Sequence, residues 1–331
     1  MSFRRLLLPV TPLYRLGLAL REWRLQAGLE TVRRLQWPVV SVGSLSAGGA
    51  GKTPMAIALA NGLAARGVAV DVLSRGYGRQ SSGAVRVRID GTAEEFGDEP
   101  LLIARATGAP VYVAAQRFRA GQLAEADVRT IPASAAGRVH LLDDGFQHRQ
   151  LHRDVDILLL SREDWRDRLL PAGNLREGQR AAERASVVAI PSDDAEFEQE
   201  LRAWGWRGPV WRVRRTMDVP EAAAPAAAFC GIARPEQFFA GLEAAGVKLA
   251  ARMAFGDHHC FTEGDLREVV ASARRAGAAT LITTQKDRVR MGAMAELVTR
   301  ELLLRTADVR VEIEERAVDW LVQQLPGAGG I

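Results

Sequence analysis

Residues 39–53 read Val39-Val40-Ser41-Val42-Gly43-Ser44-Leu45-Ser46-Ala47-Gly48-Gly49-Ala50-Gly51-Lys52-Thr53. An apolar, β-branched run is followed by a glycine-rich segment and then by residues that favour a helix, from Pro54 to Arg66. This order predicts a phosphate-binding loop, because backbone N–H groups can surround a polyphosphate where side chains leave room, and a helix N-terminus adds partial positive charge. In such a loop Lys52 reaches the β- and γ-phosphates, and the Thr53 hydroxyl is a ligand of Mg²⁺.

The loop departs from the standard phosphate-loop pattern at one position, since Ser46 stands where a glycine is expected before Gly51. Taken alone, the stretch could be a glycine-rich turn between a strand and a helix that contains a chance Lys-Thr pair. The strand before the loop and the helix after it favour the phosphate-binding interpretation.

The composition is that of a globular protein. The chain has 331 residues, of which 47% are hydrophobic and 25% charged, enough for two domains or one large one. We expect no transmembrane helix and no secretory signal, since charges or Pro9, Pro12 and Arg15 interrupt the apolar runs. The two cysteines, Cys230 and Cys260, form no disulfide framework and indicate a reducing compartment.

The positive charge lies at the N-terminus. Residues 1–34 contain seven Arg and two Glu, a net charge of +5, which leaves −1 for the remainder of a chain whose total is +4. A basic surface spread over the molecule is therefore not expected, and we predict no nucleic-acid partner.

Within this basic region the sequence predicts an amphipathic helix that begins at Thr11-Pro12. Its apolar face carries four residues: Leu13, Leu16, Leu20 and Trp23. An apolar stripe with flanking arginines suits a helix that lies in a membrane interface. A helix packed against its own domain would have the same pattern, and the residues alone leave both interpretations open.

Apolar runs that alternate with helical segments predict an α/β fold with a parallel, doubly wound sheet. The predicted strands after the first one are 68–73, 139–144, 155–160, 186–190, 226–230, 248–255 and 280–284. We expect a P-loop NTPase-like nucleotide-binding domain over residues 35–210 and a second, smaller α/β domain over residues 211–315. Residues 309–313 are expected to pair with a strand near 211–213 as a two-stranded hinge, and a final helix in 316–331 to return to the first domain.

Polar residues follow two of the predicted strands of the first domain. Arg75 and Arg79 lie in the segment Ser74-Arg75-Gly76-Tyr77-Gly78-Arg79, at a strand end where parallel sheets bind ligands, and suit an anionic or sugar substrate. The same segment could be a simple tight turn. Asp143-Asp144 ends another strand, where a nucleotide–Mg²⁺ site needs a carboxylate across from the threonine.

Two further acids, Asp98 and Glu99, begin a helical pattern. Acids at a helix start complement the helix dipole, so capping is the simpler interpretation. The functional alternative makes one of them a general base and the other part of the metal site.

The second domain offers histidines and a Lys-Asp pair. His258 and His259 follow a predicted strand, but adjacent side chains point apart and no third ligand lies at metal spacing, which argues against zinc. Beside Asp257, His258 suits an acid/base or orienting role, with a solvated turn as the alternative. Lys286-Asp287 follows the strand at 280–284 and is a candidate nucleotide contact.

Several of these stretches together resemble one family, the tetraacyldisaccharide 4′-kinases of lipid A synthesis. The resemblance rests on Gly48-Gly49-Ala50-Gly51-Lys52-Thr53-Pro54, Ser74-Arg75-Gly76-Tyr77-Gly78-Arg79, Gly97-Asp98-Glu99-Pro100, Asp143-Asp144-Gly145-Phe146-Gln147-His148, Leu170-Pro171-Ala172-Gly173, Leu175-Arg176-Glu177, Phe229-Cys230-Gly231-Ile232, Asp257-His258-His259 and Lys286-Asp287. It spans nearly the whole chain, and the family also lacks the first glycine of the phosphate loop. The chain departs from the family pattern at Ser44 for Asn, Asn174 for Pro and Gln285 for Glu.

The resemblance implies ATP-dependent phosphorylation of the 4′-hydroxyl of a tetraacylated glucosamine disaccharide 1-phosphate. It also implies a peripheral enzyme on the cytoplasmic face of the bacterial inner membrane, which favours the interfacial interpretation of the N-terminal helix. The lipid A disaccharide precursor and the membrane surface are thus the expected partners, and the sequence does not indicate the oligomeric state.

The roles that follow are hypotheses. Gly48, Gly49, Ala50, Gly51 and Lys52 hold the ATP phosphates, with Lys286 and Asp287 as further nucleotide contacts. Thr53, Asp143, Glu99 and Asp144 are the candidate Mg²⁺ ligands. Asp98 takes the proton from the 4′-hydroxyl, and His258 orients it. Substrate contacts are assigned to Arg75, Arg79, Gln147, His148 and Arg176.

Two other classes of protein remain as alternatives. The segment Thr284-Gln285-Lys286-Asp287 is similar to the guanine-reading loop of GTPases, although its spacing differs, so a nucleotide-switch protein such as a GTP-dependent metal-insertion chaperone is one. A peripheral membrane adaptor with a degenerate nucleotide site is the other, and the intact Lys52, Thr53 and Asp143 argue against it.

Overall fold

The structure, a computed structural model, describes residues 3–127, 137–221 and 225–325. It contains twelve strands in these ranges: β1 Val39–Ser44, β2 Ala69–Ser74, β3 Val85–Arg86, β4 Val111–Val113, β5 Arg138–Asp143, β6 Val155–Leu159, β7 Val187–Pro191, β8 Val210–Asp218, β9 Ala226–Cys230, β10 Leu249–Ala254, β11 Thr280–Thr284 and β12 Leu303–Ile313. The strands predicted from apolar runs are all present, with ends shifted by no more than one residue.

The described ranges also contain twelve α-helices: α1 Thr11–Gln26, α2 Lys52–Ala65, α3 Ala93–Phe96, α4 Asp98–Thr107, α5 Arg117–Ala126, α6 Arg162–Trp165, α7 Ala195–Trp204, α8 Pro235–Ala244, α9 Glu263–Arg275, α10 Gln285–Met291, α11 Ala295–Thr299 and α12 Glu315–Gln324. Short 3₁₀ helices lie at Phe3–Val10, Gln179–Arg184 and Gly292–Met294. The helix predicted after the phosphate loop is α2, which begins two residues earlier than expected.

All twelve strands belong to one sheet, in the order β10-β9-β11-β12-β8-β7-β6-β1-β5-β2-β4-β3. Neighbours are parallel except at the β12–β8 and β3–β4 pairs, which are antiparallel. The prediction of an α/β fold is confirmed, and the sheet is mixed but mostly parallel. The central strand β1 is buried along its whole length, as expected for a parallel strand with helices on both faces.

Strand β12 joins the two parts of the sheet. Its first five residues pair with β11, so that Thr284 lies opposite Ala307. Its remaining residues pair with β8, so that Asp218 lies opposite Asp308. Because β11 runs parallel to β12 and β8 runs antiparallel to it, the carboxyl ends of the strands on both sides converge on the middle of β12. Loops from the two parts of the sheet therefore face each other there.

The expected pairing of 309–313 with a strand near 211–213 is present, since Ile313 lies opposite Val213, and it extends to Asp218. The expected final helix is α12, and it returns to α2. Val318 packs beside Gly62, and Asp319 accepts a hydrogen bond from Arg66 at 2.5 Å. The division into two domains near residue 210 stays a prediction, because one sheet continues through that point.

The N-terminal helix α1 lies on the protein with its polar side inward. Tyr14 donates a hydrogen bond to the Arg176 carbonyl at 2.9 Å, Arg21 donates to the Gln147 carbonyl, and Glu22 pairs with Arg149. The predicted apolar face points to solvent: Leu13, Leu16, Leu20 and Trp23 are 70%, 66%, 55% and 57% exposed. None of the described helices is long and apolar enough to cross a membrane.

Candidate active site

The glycine-rich segment forms a loop between β1 and α2. Gly48, Gly49 and Gly51 have φ of 73°, 66° and 79°, a region that L side chains rarely adopt, and Gly51 is the N-cap of α2. Lys52 is the first residue of the helix. Its Nζ lies 3.5 Å from Ser44 Oγ and 3.7 Å from Asp144 Oδ1. The lysine is thus folded back over the loop, as a phosphate-binding lysine must be.

The acidic pair Asp143-Asp144 lies at the end of β5, directly beside β1 in the sheet. Asp143 is buried; its Oδ2 accepts a hydrogen bond from Ser74 Oγ at 3.5 Å, and its Oδ1 has no hydrogen-bond partner among the described residues. Burial and the negative charges of Glu99 and Asp144 raise the pKa of Asp143 to about 7. The positive charges of Lys52 and Arg117 oppose this shift without cancelling it, and no ion pair to Asp143 is found among the described residues.

Asp144 already has cationic partners. Arg176 donates to both of its carboxylate oxygens, at 3.0 and 2.8 Å, in a bidentate pair. Burial would raise the pKa of Asp144, but Lys52 and Arg176 together hold it below its usual value. Arg176, predicted to contact substrate, is therefore also the residue that fixes Asp144.

Asp98 is the first residue of α4 and is buried. Its Oδ1 accepts a hydrogen bond from the Glu99 backbone N–H at 2.9 Å, and its Oδ2 lies 3.2 Å from His258 Nδ1. The structure thus brings together two residues that are far apart in sequence, at the distance that the predicted pairing needs. Their catalytic roles stay predictions.

Helix α10 supplies two more cations to Asp98. Lys286 Nζ lies 3.8 Å from Asp98 Oδ2 and donates to Glu99 Oε1 at 2.8 Å. Arg290 donates to Asp98 Oδ2 through both Nε and Nη2, at 2.7 and 2.6 Å. Burial alone would raise the pKa of Asp98, but the His258 hydrogen bond and the charges of Lys286 and Arg290 hold it well below its usual range. The carboxylate is ionised.

Arg290 is a residue that the sequence interpretation missed. It also donates to the Gly231 carbonyl and to Asp287 Oδ1, at 2.5 and 2.9 Å, and its Nη2 lies 3.3 Å from His258 Nδ1. A signal for it existed: Arg290 is four residues after Lys286 on a helix, so both side chains share one face.

Asp287, predicted as a nucleotide contact, lies in the interior. It is 0% exposed and accepts hydrogen bonds from the Gly231 N–H and the Thr284 hydroxyl at 3.1 and 2.6 Å. Its own backbone N–H donates to the side chain of Thr284, which is the N-cap of α10. It is not accessible to a purine base in this arrangement. Lys286 points to Glu99 instead, so a guanine-reading role for this segment has no support from its geometry.

Three of the candidate substrate residues lie in two loops, with Gln147 and His148 in one and Arg79 in the other. Gln147 donates to the Ser44 carbonyl at 3.0 Å, and His148 follows it in the same loop. Burial, with the positive charge of Arg117 and other arginines, lowers the pKa of His148 to about 4, so the imidazole is neutral. Arg79 is turned into its own loop, where it donates to the Gly83 carbonyl, and its contact with a substrate stays a prediction.

Arg117 is a second residue that the sequence interpretation missed. It is buried at the start of α5, and its Nε has no acceptor among the described residues. Burial and the charge of Arg75 lower its pKa to about 10, and it interacts electrostatically with Asp143 and Asp144. A lone arginine after the strand 111–113 carries no sequence pattern that would have marked it.

Backbone strain coincides with the site. Among the described non-glycine residues, Asp144 and His258 are the two with positive φ, at 48° and 58°. Such conformations cost free energy. They persist where the surrounding structure holds them, and they are common at functional sites. Both residues were predicted to act in the site from sequence.

The donor set near the phosphate loop fits Mg²⁺. The described residues contain no group of three or more His, Cys, Asp or Glu side chains that could hold a metal by themselves. Mg²⁺ is ordinarily bound by one or two carboxylates together with substrate phosphates. The buried, unpartnered Oδ1 of Asp143 suits that role.

Comparisons with known proteins point to one family. A sequence model of the family described as tetraacyldisaccharide-1-P 4′-kinase matches residues 3–326. The tetraacyldisaccharide 4′-kinase of Koribacter versatilis is 40% identical over 321 residues, which cover 92% of this chain and 96% of that protein. The corresponding protein of Geobacter metallireducens is 40% identical over 305 residues, which cover 84% and 86%.

A solved structure is similar over the whole fold. The crystal structure of LpxK from Aquifex aeolicus in complex with ATP superposes with a TM-score of 0.73 at 31% sequence identity. The match covers 98% of this chain and 99% of that one.

Proposed function

Because this chain belongs to the tetraacyldisaccharide-1-P 4′-kinase family, we propose that it transfers the γ-phosphate of ATP to the 4′-hydroxyl of a tetraacyldisaccharide 1-phosphate at the site described above. Family membership makes it an ATP-dependent kinase of lipid A biosynthesis. The observation that carries the assignment to this site is the meeting of two clusters: Lys52 with Asp143 and Asp144, and Asp98 with His258. Glu99 links them, since its charge acts on Asp143 and its side chain binds Lys286.

The phosphate loop and Lys52 hold the ATP phosphates. The loop amides supply backbone donors, and Lys52 neutralises charge on the β- and γ-phosphates. Thr53 and Asp143 would hold Mg²⁺, with Glu99 nearby. When bound, the ion neutralises phosphate charge during transfer.

Asp98 accepts the proton of the 4′-hydroxyl. Its low pKa keeps it ionised and able to accept, while His258, Lys286 and Arg290 hold it in place. A sugar hydroxyl is a poor nucleophile, so alignment with the γ-phosphate supplies much of the acceleration. Asp98 directs the attacking oxygen and removes its proton as the new bond forms.

Arg75, Gln147, His148 and Arg176 face the substrate side of this site in our assignment, with Arg79 at its margin. The neutral imidazole of His148 can both donate and accept a hydrogen bond, which suits a sugar hydroxyl. Arg75 supplies charge to an anionic group of the lipid. Its charge already acts on Arg117 and His148, so the three side chains lie within electrostatic range.

The two parts of the sheet act as two domains in this proposal. Residues 35–210 form the P-loop NTPase-like domain, and residues 211–315 form the smaller one. The observation that supports the division is that the base comes from the first part and its partners His258, Lys286 and Arg290 come from the second. Opening between them would admit the substrate.

Helix α1 binds the membrane surface in this proposal. The side of α1 that carries Tyr14 and Glu22 contacts the protein and the predicted apolar face points outward, a pattern opposite to that of a helix that packs its apolar face on a core. The enzyme would then work on the cytoplasmic face of the inner membrane, where acyl chains can stay in the bilayer. Leu16→Ser with Trp23→Ser should reduce binding to anionic vesicles in a flotation assay. Ile89→Ser, which changes an exposed apolar residue elsewhere, is the control.

The function is tested by a γ-phosphate transfer assay. Purified protein receives Mg–ATP and detergent-dispersed tetraacyldisaccharide 1-phosphate, with a lipid-free arm and a GTP arm. Lipid-dependent transfer from ATP is the expected result. Hydrolysis that favours GTP without transfer to lipid would contradict the proposal.

A further inference from the structure

We propose that Arg215 and Arg234 are positioning residues of the phosphate loop, which clamp its outer face from the second part of the sheet. This inference rests on the proposed function only in taking residues 44–53 as the nucleotide phosphate site. Neither arginine belongs to the motifs recognised in the sequence. Arg215 lies on β8 and Arg234 in the loop between β9 and α8.

Three glycines of the loop are each covered by a residue that follows position 210. A methyl group on Gly48 would lie 2.8 Å from Ala233 Cβ, and one on Gly49 would lie 2.6 Å from Arg234 Nε. One on Gly51 would lie 2.9 Å from Arg215 Cζ. The loop is therefore glycine-rich on this side because other parts of the chain lie directly against its backbone.

Arg215 holds one peptide of the loop by its carbonyl. The guanidinium Nη2 donates a hydrogen bond to the carbonyl oxygen of Ala50. In a trans peptide the C=O of residue 50 and the N–H of Gly51 point in opposite directions. A carbonyl fixed toward Arg215 thus turns the Gly51 N–H away from the arginine, toward the inside of the loop where a phosphate binds.

Arg234 extends across the loop to the opposite side. Its side chain crosses Gly49, and its Nη2 donates to Asp164 Oδ1 at 2.6 Å, with Glu163 at 3.5 Å. Asp164 is buried in the short helix α6, which belongs to the first part of the sheet. The arginine therefore ties the loop after β9 to α6 and confines the phosphate loop between them.

The phosphate loop is therefore held in its nucleotide-binding conformation before nucleotide binds. A loop whose amides are already oriented loses less conformational entropy on binding. Removal of one charge-assisted hydrogen bond that holds the loop should weaken nucleotide binding by about ten- to a hundredfold. Binding of the lipid substrate should be unchanged.

The test measures binding of a non-hydrolysable Mg–ATP analogue to the full chain by calorimetry, without lipid, and then KM and kcat with lipid. The variants are Arg215→Gln, Arg215→Lys and Arg234→Gln. Arg214→Gln is the matched control, because Arg214 is the adjacent residue on β8 and is an exposed partner of Glu312 at 3.2 Å. We expect Kd and KM for ATP to rise about tenfold or more in both glutamine variants, with Arg215→Lys restoring most of the affinity and Arg214→Gln unchanged.

The link through Asp164 has its own test. If Arg234 acts through this carboxylate, Asp164→Asn should weaken nucleotide binding, and adding Arg234→Gln to it should cause little further loss. Independent, additive losses would overturn the link.

Two results would overturn the proposal as a whole. Wild-type Kd in the glutamine variants, with only a lower melting temperature, would make the arginines simple structural links. A fall in kcat of about 10³-fold or more at unchanged nucleotide affinity would indicate that Arg215 contacts the transferred phosphate directly. Failure of the proposed function is separate: a wild-type protein that binds the analogue but phosphorylates no lipid leaves the clamp intact.

Discussion

The two parts of the sheet contribute to the active site in different ways. The first part contributes residues that are local in sequence: the loop after β1 and the acids that end β5. The second part contributes His258 from a loop and Lys286 and Arg290 from the helix α10, and they acquire a role only where they meet Asp98. The comparison shows that a phosphate site can be formed by one strand–loop–helix unit, whereas the environment of a base here depends on the assembled fold.

The two parts also differ in charge. The first supplies the carboxylates Asp98, Glu99 and Asp143, and the second supplies the cations that hold Asp98 ionised. Asp143, which has no such partner from the second part, has its pKa raised instead. Two buried acids in one site thus have opposite pKa shifts. Against the effect of burial, Lys286 and Arg290 lower the pKa of Asp98, whereas burial and Glu99 raise that of Asp143.

The largest expected effect concerns Asp98, an acid of the first part that contacts residues of the second part. Asp98→Asn keeps the size of the side chain but removes the base, so kcat should fall by about 10²–10⁴-fold, measured by γ-phosphate transfer to lipid. Asp90→Asn, at an exposed residue of the same part, is the control and should be neutral. Near-normal turnover in Asp98→Asn would mean that another group removes the proton.

The next effect belongs to the first part alone. Lys52→Ala removes a charge from the phosphate site, and kcat/KM for ATP should fall by about 10²–10³-fold. Lys248→Ala, an exposed lysine of the second part, should leave the kinetics unchanged. Equal losses of kcat/KM in the two variants would contradict the assignment of Lys52 to the phosphate site.

A smaller effect concerns Arg290 of the second part and is measured by the pH dependence of kcat/KM. A carboxylate with a depressed pKa loses activity only as the pH falls through that low value. Arg290→Gln removes a positive charge beside Asp98, so its pKa should rise and the acidic limb of kcat/KM should move up by about 1–3 pH units.

Arg288→Gln, on the same helix, is the control for this profile, because Arg288 donates to the nearby Gly292 carbonyl and not to Asp98. A lower rate in Arg290→Gln with an unmoved acidic limb would mean that Arg290 serves the fold and not the ionisation of Asp98.

The smallest effect lies outside the site, in a buried pair of the first part. His140 Nδ1 lies 2.7 Å from Asp71 Oδ1, with Glu125 nearby. Burial would lower the pKa of His140, but the two acids raise it to about 9. The folded state therefore holds a proton that the unfolded chain releases near pH 6.5, and stability should fall as pH rises from about 6.5 to 9, by up to about 3 kcal/mol.

Urea unfolding at both ends of this pH range measures the effect. His140→Asn should flatten the dependence and leave kcat of the folded enzyme within about twofold, because the pair touches no site residue. His152→Asn, at a partly exposed histidine, should keep the slope. An unchanged slope in His140→Asn would show that other groups carry the pH dependence.

Much of the fold could be predicted from local pattern. Runs such as 226–230 and 280–284 are strands at the residues expected, because short apolar β-branched or small-residue runs between helical segments have few other uses in an α/β chain. The sheet's continuity could not be predicted in the same way. The pairing of 309–313 with β8 was expected, but the pairing of β11 with the first half of β12, which makes the sheet continuous, depends on tertiary packing.

The residues of the site also divide into those that local sequence pattern predicts and those that depend on tertiary packing. Lys52, Asp143 and Asp144 follow from strand ends that must lie side by side, and they do. Arg117 has no local signature, and the spacing of Arg290 from Lys286 indicates a shared helix face but not the acid that the face meets. Only the packing of α10 and α5 places the two arginines beside acids. The polar inward side of α1 was equally hidden, since periodicity defines two faces of a helix but not which one meets the protein.

Strand β12, which pairs with β11 along its first half and with β8 along its second, is also the last strand in the described part of the chain. During synthesis both sets of catalytic residues leave the ribosome before the segment that orients one set toward the other. The phosphate loop and its strands can fold early as a local unit, but the base and its partners meet only after residue 313 is made. Catalytic competence in this protein is therefore a late event of folding, and turnover reports on whether the whole chain has assembled.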